Sequence, residues 1–154
     1  MKDFFKNFFN FKFLQKSEEN TSNQEVSVTM AEAETTVIVE NIETVADGEV
    51  IAITDVKDPV FSQKMMGDGF AVEPENGKIY APVSGTISSI FPTKHALGLL
   101  TENGLEVLVH IGLDTVSLEG KPFEVHVVEG QTVSAGDLLV TADLGAIKEA
   151  GRET

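Results

Sequence analysis

What most constrains this chain is how often it is punctuated. From Thr35 onward apolar residues come in short runs, TTVIVENI, ADGEVIAI, GFAV, KIYAPV, SGTISSI, ALGLL, GLEVLVHIGL, EVHVV and QTVSAGDLLVTADL, separated by Gly, Pro, Asn or Asp. Runs of this length, rich in Val, Ile and Thr, suit strands, because a helix needs a longer apolar period to bury one face. The pattern predicts about ten short strands and an all-β class. Leu144 to Arg152, with its Ala, Ile, Lys and Glu, predicts a short terminal helix. The chain has 154 residues, enough for one core of ordinary size.

An internal echo suggests a β-sandwich or barrel of two similar halves. Asp47-Gly48-Glu49-Val50-Ile51-Ala52-Ile53 resembles Ser84-Gly85-Thr86-Ile87-Ser88-Ser89-Ile90, and each is followed later by a Gly and an apolar strand, Gly69-Phe70-Ala71-Val72 and Gly104-Leu105-Glu106-Val107. The spacing is too poorly kept for a solenoid.

The first sixteen residues read differently. They hold six of the ten Phe, and Lys2, Lys6, Lys12 and Lys16 face a single acid, Asp3, so the segment carries +3 and leaves -17 for the rest of a chain whose total is -14. On a helical wheel Phe4, Phe8 and Phe11 share a face, with Phe5 and Leu14 on its flanks, while Lys12 and Gln15 interrupt the stripe. Residues 1–16 are therefore expected to be a basic amphipathic tail that lays Phe rings into an anionic membrane surface and brings Lys2 and Lys6 to its phosphates. The competing reading is an aromatic but unstructured tail. Residues 17–34 are polar and acidic, as a flexible linker would be, and the folded domain is expected over 35–154.

Charge and composition remove several functions. A protein this acidic lacks the Lys and Arg needed to displace counterions from nucleic acid. With no Cys, thiol nucleophiles, thiolate metal sites and disulfides are excluded. No apolar run approaches a membrane span, and Lys and Asn break up the Phe-rich start too often for a signal peptide. The expected location is the cytoplasm, peripheral at the inner face of the membrane if the tail binds there.

Nucleophile chemistry then rests on three His and the carboxylates. Alternation through Gly104 to Val116 places Leu105, Val107, Val109 and Ile111 on a core face, with Glu106, Leu108 and His110 opposite. His110 thus ends a strand just before Gly112, both held and reachable. A neutral imidazole can accept a phosphoryl group on nitrogen, and a second His such as His95 can hydrogen-bond its oxygens. An isolated strand His is more often structural, so the residues alone leave both readings open.

Five segments favour the chemical reading. Gly67-Asp68-Gly69, Ala81-Pro82-Val83-Ser84-Gly85-Thr86-Ile87, Phe91-Pro92-Thr93-Lys94-His95-Ala96, Val109-His110-Ile111-Gly112-Leu113-Asp114-Thr115-Val116, and Glu129-Gly130-Gln131-Thr132-Val133 on to Gly136-Asp137 occur in this order. Together they resemble the glucose-type enzyme IIA family of the bacterial phosphoenolpyruvate sugar phosphotransferase system, over roughly residues 36 to 150. The resemblance implies an antiparallel β-sandwich acting as a phosphoryl carrier, a transferase component whose only cofactor is a transient phosphoryl group. Its partners would be the histidine-containing phosphocarrier protein as donor and the cysteine of a sugar permease's IIB domain as acceptor. His110 matches the phosphorylated residue, attacking through Nε2, His95 its partner, and Thr93 a hydrogen-bonding neighbour. Val60, Phe61, Met65, Met66, Phe91, Leu97 and Leu108 match an apolar docking face, with Asp114 at its rim. For Phe61 and Phe91 ordinary core packing competes with docking. His126 matches no functional position. The chain stops at Thr154 without the strand that closes the family's fold, so an unpaired sheet edge is expected, in a fragment or in a chain whose N-terminal segment compensates.

Other readings compete. A biotinyl or lipoyl carrier would use Lys64-Met65-Met66 as its modified turn, but it leaves both His motifs unexplained. A zinc peptidase needs more ligands than three separated His provide. A zinc shared between His95, His110 and a partner carboxylate is the remaining metal arrangement, and the phosphoryl reading requires none. Finally, the same fold could be a regulatory binding module in which phosphorylation of His110 switches the docking of permeases or kinases.

Overall fold

The computed structural model describes residues 40–154, so the basic tail, the linker and the start of the expected domain lie outside the described residues. Among the described residues nine strands follow in chain order: β1 (Gly48–Ala52), β2 (Phe70–Pro74), β3 (Lys78–Tyr80), β4 (Gly85–Ile90), β5 (Ala96–Leu100), β6 (Glu106–His110), β7 (Phe123–Val125), β8 (Thr132–Val133) and β9 (Leu138–Ala142). Two short α-helices, α1 (Pro59–Ser62) and α2 (Leu144–Glu149), and two 3-10 turns, Ile53–Asp55 and Thr115–Leu118, complete the set. The expected terminal helix is therefore present, and Asp143 caps it by accepting from the Ala146 N–H.

All pairings among the described residues are antiparallel. β1 and β2 form a ribbon running from Gly48 opposite Pro74 to Ala52 opposite Phe70. A three-stranded sheet has the order β3-β9-β7, and a four-stranded sheet the order β6-β5-β4-β8. Those two sheets share one core. Ile79 of the first, Leu139 and Val140 of β9, and Ile87, Leu97, Leu99 and Val109 of the second pack in a single cluster closed by Ile147 of α2. The ribbon contributes only the half-buried Val72 at the margin.

β5 carries the sheet that presents the site. Its run Ala96-Leu97-Gly98-Leu99 is buried throughout, as a strand covered on both faces should be. The register of β4 against β5 shifts between Ile87 and Ser89, a bulge that adds one residue to β4. Its two hydroxyls leave no room for a side chain on the partner strand: a Cβ on Gly98 would lie 2.6 Å from Ser89 Oγ and 2.7 Å from Ser88 Oγ.

Outside the site, the structure departs from the sequence reading at three places. Glu40 to Ile42, the described end of the run TTVIVENI, is not a strand. Leu105 precedes β6 and is exposed, because the alternation starts only where the ladder does. The echoed halves also pair differently: β1 pairs directly with β2, whereas β5 intervenes between β4 and β6. Among the described residues, no helix is long and apolar enough to cross a membrane.

Candidate active site

The two histidines of the sequence motifs are ladder partners' neighbours. His110 ends β6 opposite Ala96, the residue that follows His95, and the Ile111 N–H donates to the His95 carbonyl at 2.8 Å. Adjacent antiparallel strands thus fix both backbones, and the rings meet with centroids 5.0 Å apart at 83°. His95 enters from a tight turn, in which the Lys94 N–H donates to the Phe91 carbonyl at 2.7 Å and Lys94 adopts φ 55°. A left-handed conformation is uncommon for a lysine and is held here by its surroundings.

Aromatic and polar neighbours complete the setting. The Phe61 ring lies 4.8 Å from His110, and the Phe91 ring 5.5 Å from His95 in an edge-on arrangement. Thr93 Oγ1 is 2.6 Å from His95 Nδ1. His95 is buried, at 7% exposure, while His110 is half-buried. α1 brings Phe61 into place: Asp58 caps it by accepting from the Val60 N–H at 2.7 Å, and Pro59 opens it.

Electrostatics keep the pair neutral near pH 7. Burial and then the neighbouring His95 push the His110 pKa down to about 4, against a backbone hydrogen bond with Gly112 and the charge of Asp58, which both raise it. Because that bond favours the protonated ring, the Gly112 partner is its carbonyl, accepting a ring N–H. Burial also lowers the pKa of His95. Asp58 and the Gly112 carbonyl escaped the sequence reading, although Asp58-Pro59 is a legible helix start.

The expected docking residues divide. Val60 and Met65 are exposed at 40% and 61%, and Phe61, Met66, Phe91 and Leu108 are half-buried around the histidines. Leu97 is a correction: it is fully buried, because its place opposite Val109 turns it to the core, and it belongs to no docking face. Asp114 stands at the rim with its carboxylate 3.9 Å from the Arg152 guanidinium. A cleft of about 280 Å³ runs from His110, Phe61 and Met66 beneath the β1–β2 ribbon to Val72, Leu144 and Glu153. His126 sits apart, exposed, with Nε2 2.7 Å from Thr141 Oγ1. Phe4, Phe5, Phe8, Phe11, Lys2 and Lys6 lie outside the described residues. Among the described residues no cluster of three or more metal-ligating side chains occurs, so His95 and His110 offer two ligands and no third.

Comparison with known proteins accounts for this arrangement. The family model of the phosphoenolpyruvate-dependent sugar phosphotransferase system, EIIA 1, matches residues 40–154. A glucose-specific EIICBA component of Streptococcus pneumoniae is 76% identical over 117 residues, which are 76% of this chain and 16% of that protein. A glucosamine-specific EIICBA component of Bacillus subtilis is 55% identical over 102 residues, 66% of this chain and 16% of that protein. A glucose-specific EIIA component of Halalkalibacterium halodurans is 52% identical over 108 residues, 70% of this chain and 62% of that protein. The chain thus spans less than two thirds of the length of these relatives. Among solved structures, the glucose permease IIA of Mycoplasma capricolum superposes with a TM-score of 0.69 at 48% identity, covering 73% of each chain. Its fold confirms the antiparallel β-sandwich, and the chain belongs to the EIIA 1 family of the phosphoenolpyruvate-dependent sugar phosphotransferase system.

Proposed function

We propose that the protein carries a phosphoryl group on His110 between the histidine-containing phosphocarrier protein and the IIB domain of a sugar permease. The observation that carries this reading is the pair of neutral imidazoles at the strand ends, one half-buried beside Phe61 and the other buried against Thr93. The EIICBA names of two relatives, which join A to B and C, support a IIB partner.

Each residue has a role. The ring N–H of His110 faces the Gly112 carbonyl, and in this reading that N–H is Nδ1–H, the ring nitrogen nearer the main chain. Nε2 then keeps its lone pair and attacks the phosphorus of the donor's phosphohistidine. An N–P bond forms at His110 as the donor's N–P bond breaks and its imidazole leaves. In the onward step the IIB cysteine thiolate attacks phosphorus and the His110 N–P bond breaks. Thr93 Oγ1 lies 2.6 Å from His95 Nδ1, and with the hydroxyl as donor Nε2–H of His95 is left to hydrogen-bond the phosphoryl oxygens as charge builds on them. Val60, Phe61, Met65, Met66, Phe91 and Leu108 form the apolar face on which both partners dock, with Asp114 meeting basic residues at the rim.

The reading is tested by His95→Gln. Transfer from His110 to the IIB cysteine is expected to slow about 100-fold while acceptance stays measurable, the loss typical of one removed transition-state donor. Onward transfer at the normal rate would deny His95 its role. The same reading places residues 1–16 on anionic membrane and the domain in the cytoplasm. Deleting them is expected to lower vesicle binding at low salt without changing phosphorylation, and unchanged binding would remove the membrane role.

A further inference from the structure

The turn after His110 is held from outside by a segment with no role so far. The Leu113 N–H donates to the Glu153 carbonyl at 3.0 Å, in an antiparallel bridge outside the main sheets. That carbonyl is packed onto Gly112 itself: a Cβ there would lie 2.7 Å from the Glu153 oxygen and 2.6 Å from the Thr115 methyl, and Gly112 has φ 71°. Next to it Asp114 is left-handed at φ 56°, with Arg152 Nη1 3.9 Å from its carboxylate. On the other side Glu153 Oε1 accepts from Lys57 Nζ at 3.0 Å, one residue before Asp58. Arg152 is anchored in turn, its N–H donating to the Ile147 carbonyl near the end of α2 at 3.1 Å.

We propose that Arg152 and Glu153 are positioning residues, which tie the Ile111–Asp114 turn to the Lys57–Asp58 loop and so hold the Gly112 carbonyl that fixes the tautomer of His110. Within this turn Asp114, a non-glycine held left-handed, needs support from its neighbours. Two loops meet at Glu153: one supplies the acceptor for the His110 ring, the other the cap of the helix that bears Phe61. The Lys57 ion pair is exposed and contributes little by itself. The backbone bridge and the packing on Gly112 do most of the holding. A carbonyl free to swing would let the ring proton exchange between Nδ1 and Nε2, and every molecule with the proton on Nε2 lacks its nucleophile.

The inference rests on His110 being the acceptor, and ring nitrogen NMR of ¹⁵N-histidine-labelled protein separates the two ideas. In the whole chain His110 is expected to show one protonated and one bare nitrogen at pH 7. In a variant ending at Gly151 the two shifts are expected to move toward each other, with phosphoryl acceptance about tenfold slower, as small misplacements of reacting groups are. The double variant Lys57→Ala, Arg152→Ala keeps the Leu113 bridge and is expected to give a smaller change in the same direction. Unaltered His126 signals report that either variant is folded. A His110 tautomer unchanged in both variants would overturn the proposal whatever the transfer rate. A mixed tautomer with unchanged acceptance would keep the staple and instead contradict His110 as the acceptor.

Discussion

The proposed nucleophile, His110, owes its neutral ring to its environment more than to its residue type. A free imidazole is partly protonated near neutrality, and one half-buried against the rings of Phe61 and His95 is not. Its pKa of about 4 lies below the unfolded value, so below about pH 6.5 the unfolded chain takes up the proton first. The stability due to this group is complete above that pH and is lost as pH falls toward 4, about 3 kcal/mol in all. Urea unfolding at pH 7 and pH 4.5 should therefore show a larger loss in the wild type than in His110→Gln. Phosphoryl acceptance should stay flat from pH 8 to about 5 and fall only near 4. A midpoint near 6.5 would mean the site is open to water.

Short elements aim these residues. Asp58 caps α1 and lies near enough to His110 for its charge to raise the ring's pKa, so one side chain serves the helix and the site. Asp58→Asn, which removes the charge and keeps a capping oxygen, is expected to lower the His110 midpoint in a ¹H–¹⁵N titration while leaving the fold intact. Asp58→Ala should also cost about 1 kcal/mol in a chemical melt. Thr115 is buried at 0% exposure and donates to the Ile111 carbonyl at 2.6 Å, which ties the 3-10 turn to the end of β6. Thr115→Val is expected to destabilise by about 1–3 kcal/mol by leaving that carbonyl without its partner. At this scale the sequence was legible where local rules decide: alternation from Val107 to Ile111 told core from site face, and the composition of Leu144 to Arg152 marked the terminal helix, whereas α1 and its cap Asp58 went unread. It was not legible for Leu97, since a run apolar on both faces carries no sign of which side reaches the surface. Nor could spacing show that Glu153 packs on Gly112, a contact made only by the fold.

For the whole molecule, two facing sheets hold the site rigid while the β1–β2 ribbon stands outside the core. Leu99 sits at the centre with no exposure, and Leu99→Ala should cost about 2–5 kcal/mol without moving the histidines relative to each other. The all-β class, the terminal helix and the meeting of His95 with His110 follow from sequence pattern and motif order, whereas strand pairing between the echoed halves depended on which edges the core left free. The proposed role of the fold is to carry a phosphoryl group on one histidine. It is tested most directly by the intact mass of the whole chain after incubation with phosphoenolpyruvate, enzyme I and the histidine phosphocarrier protein, beside His110→Ala. A gain of one acid-labile phosphoryl group, absent in the variant, is expected. A normal gain in His110→Ala, or none in the wild type with active components, would contradict it.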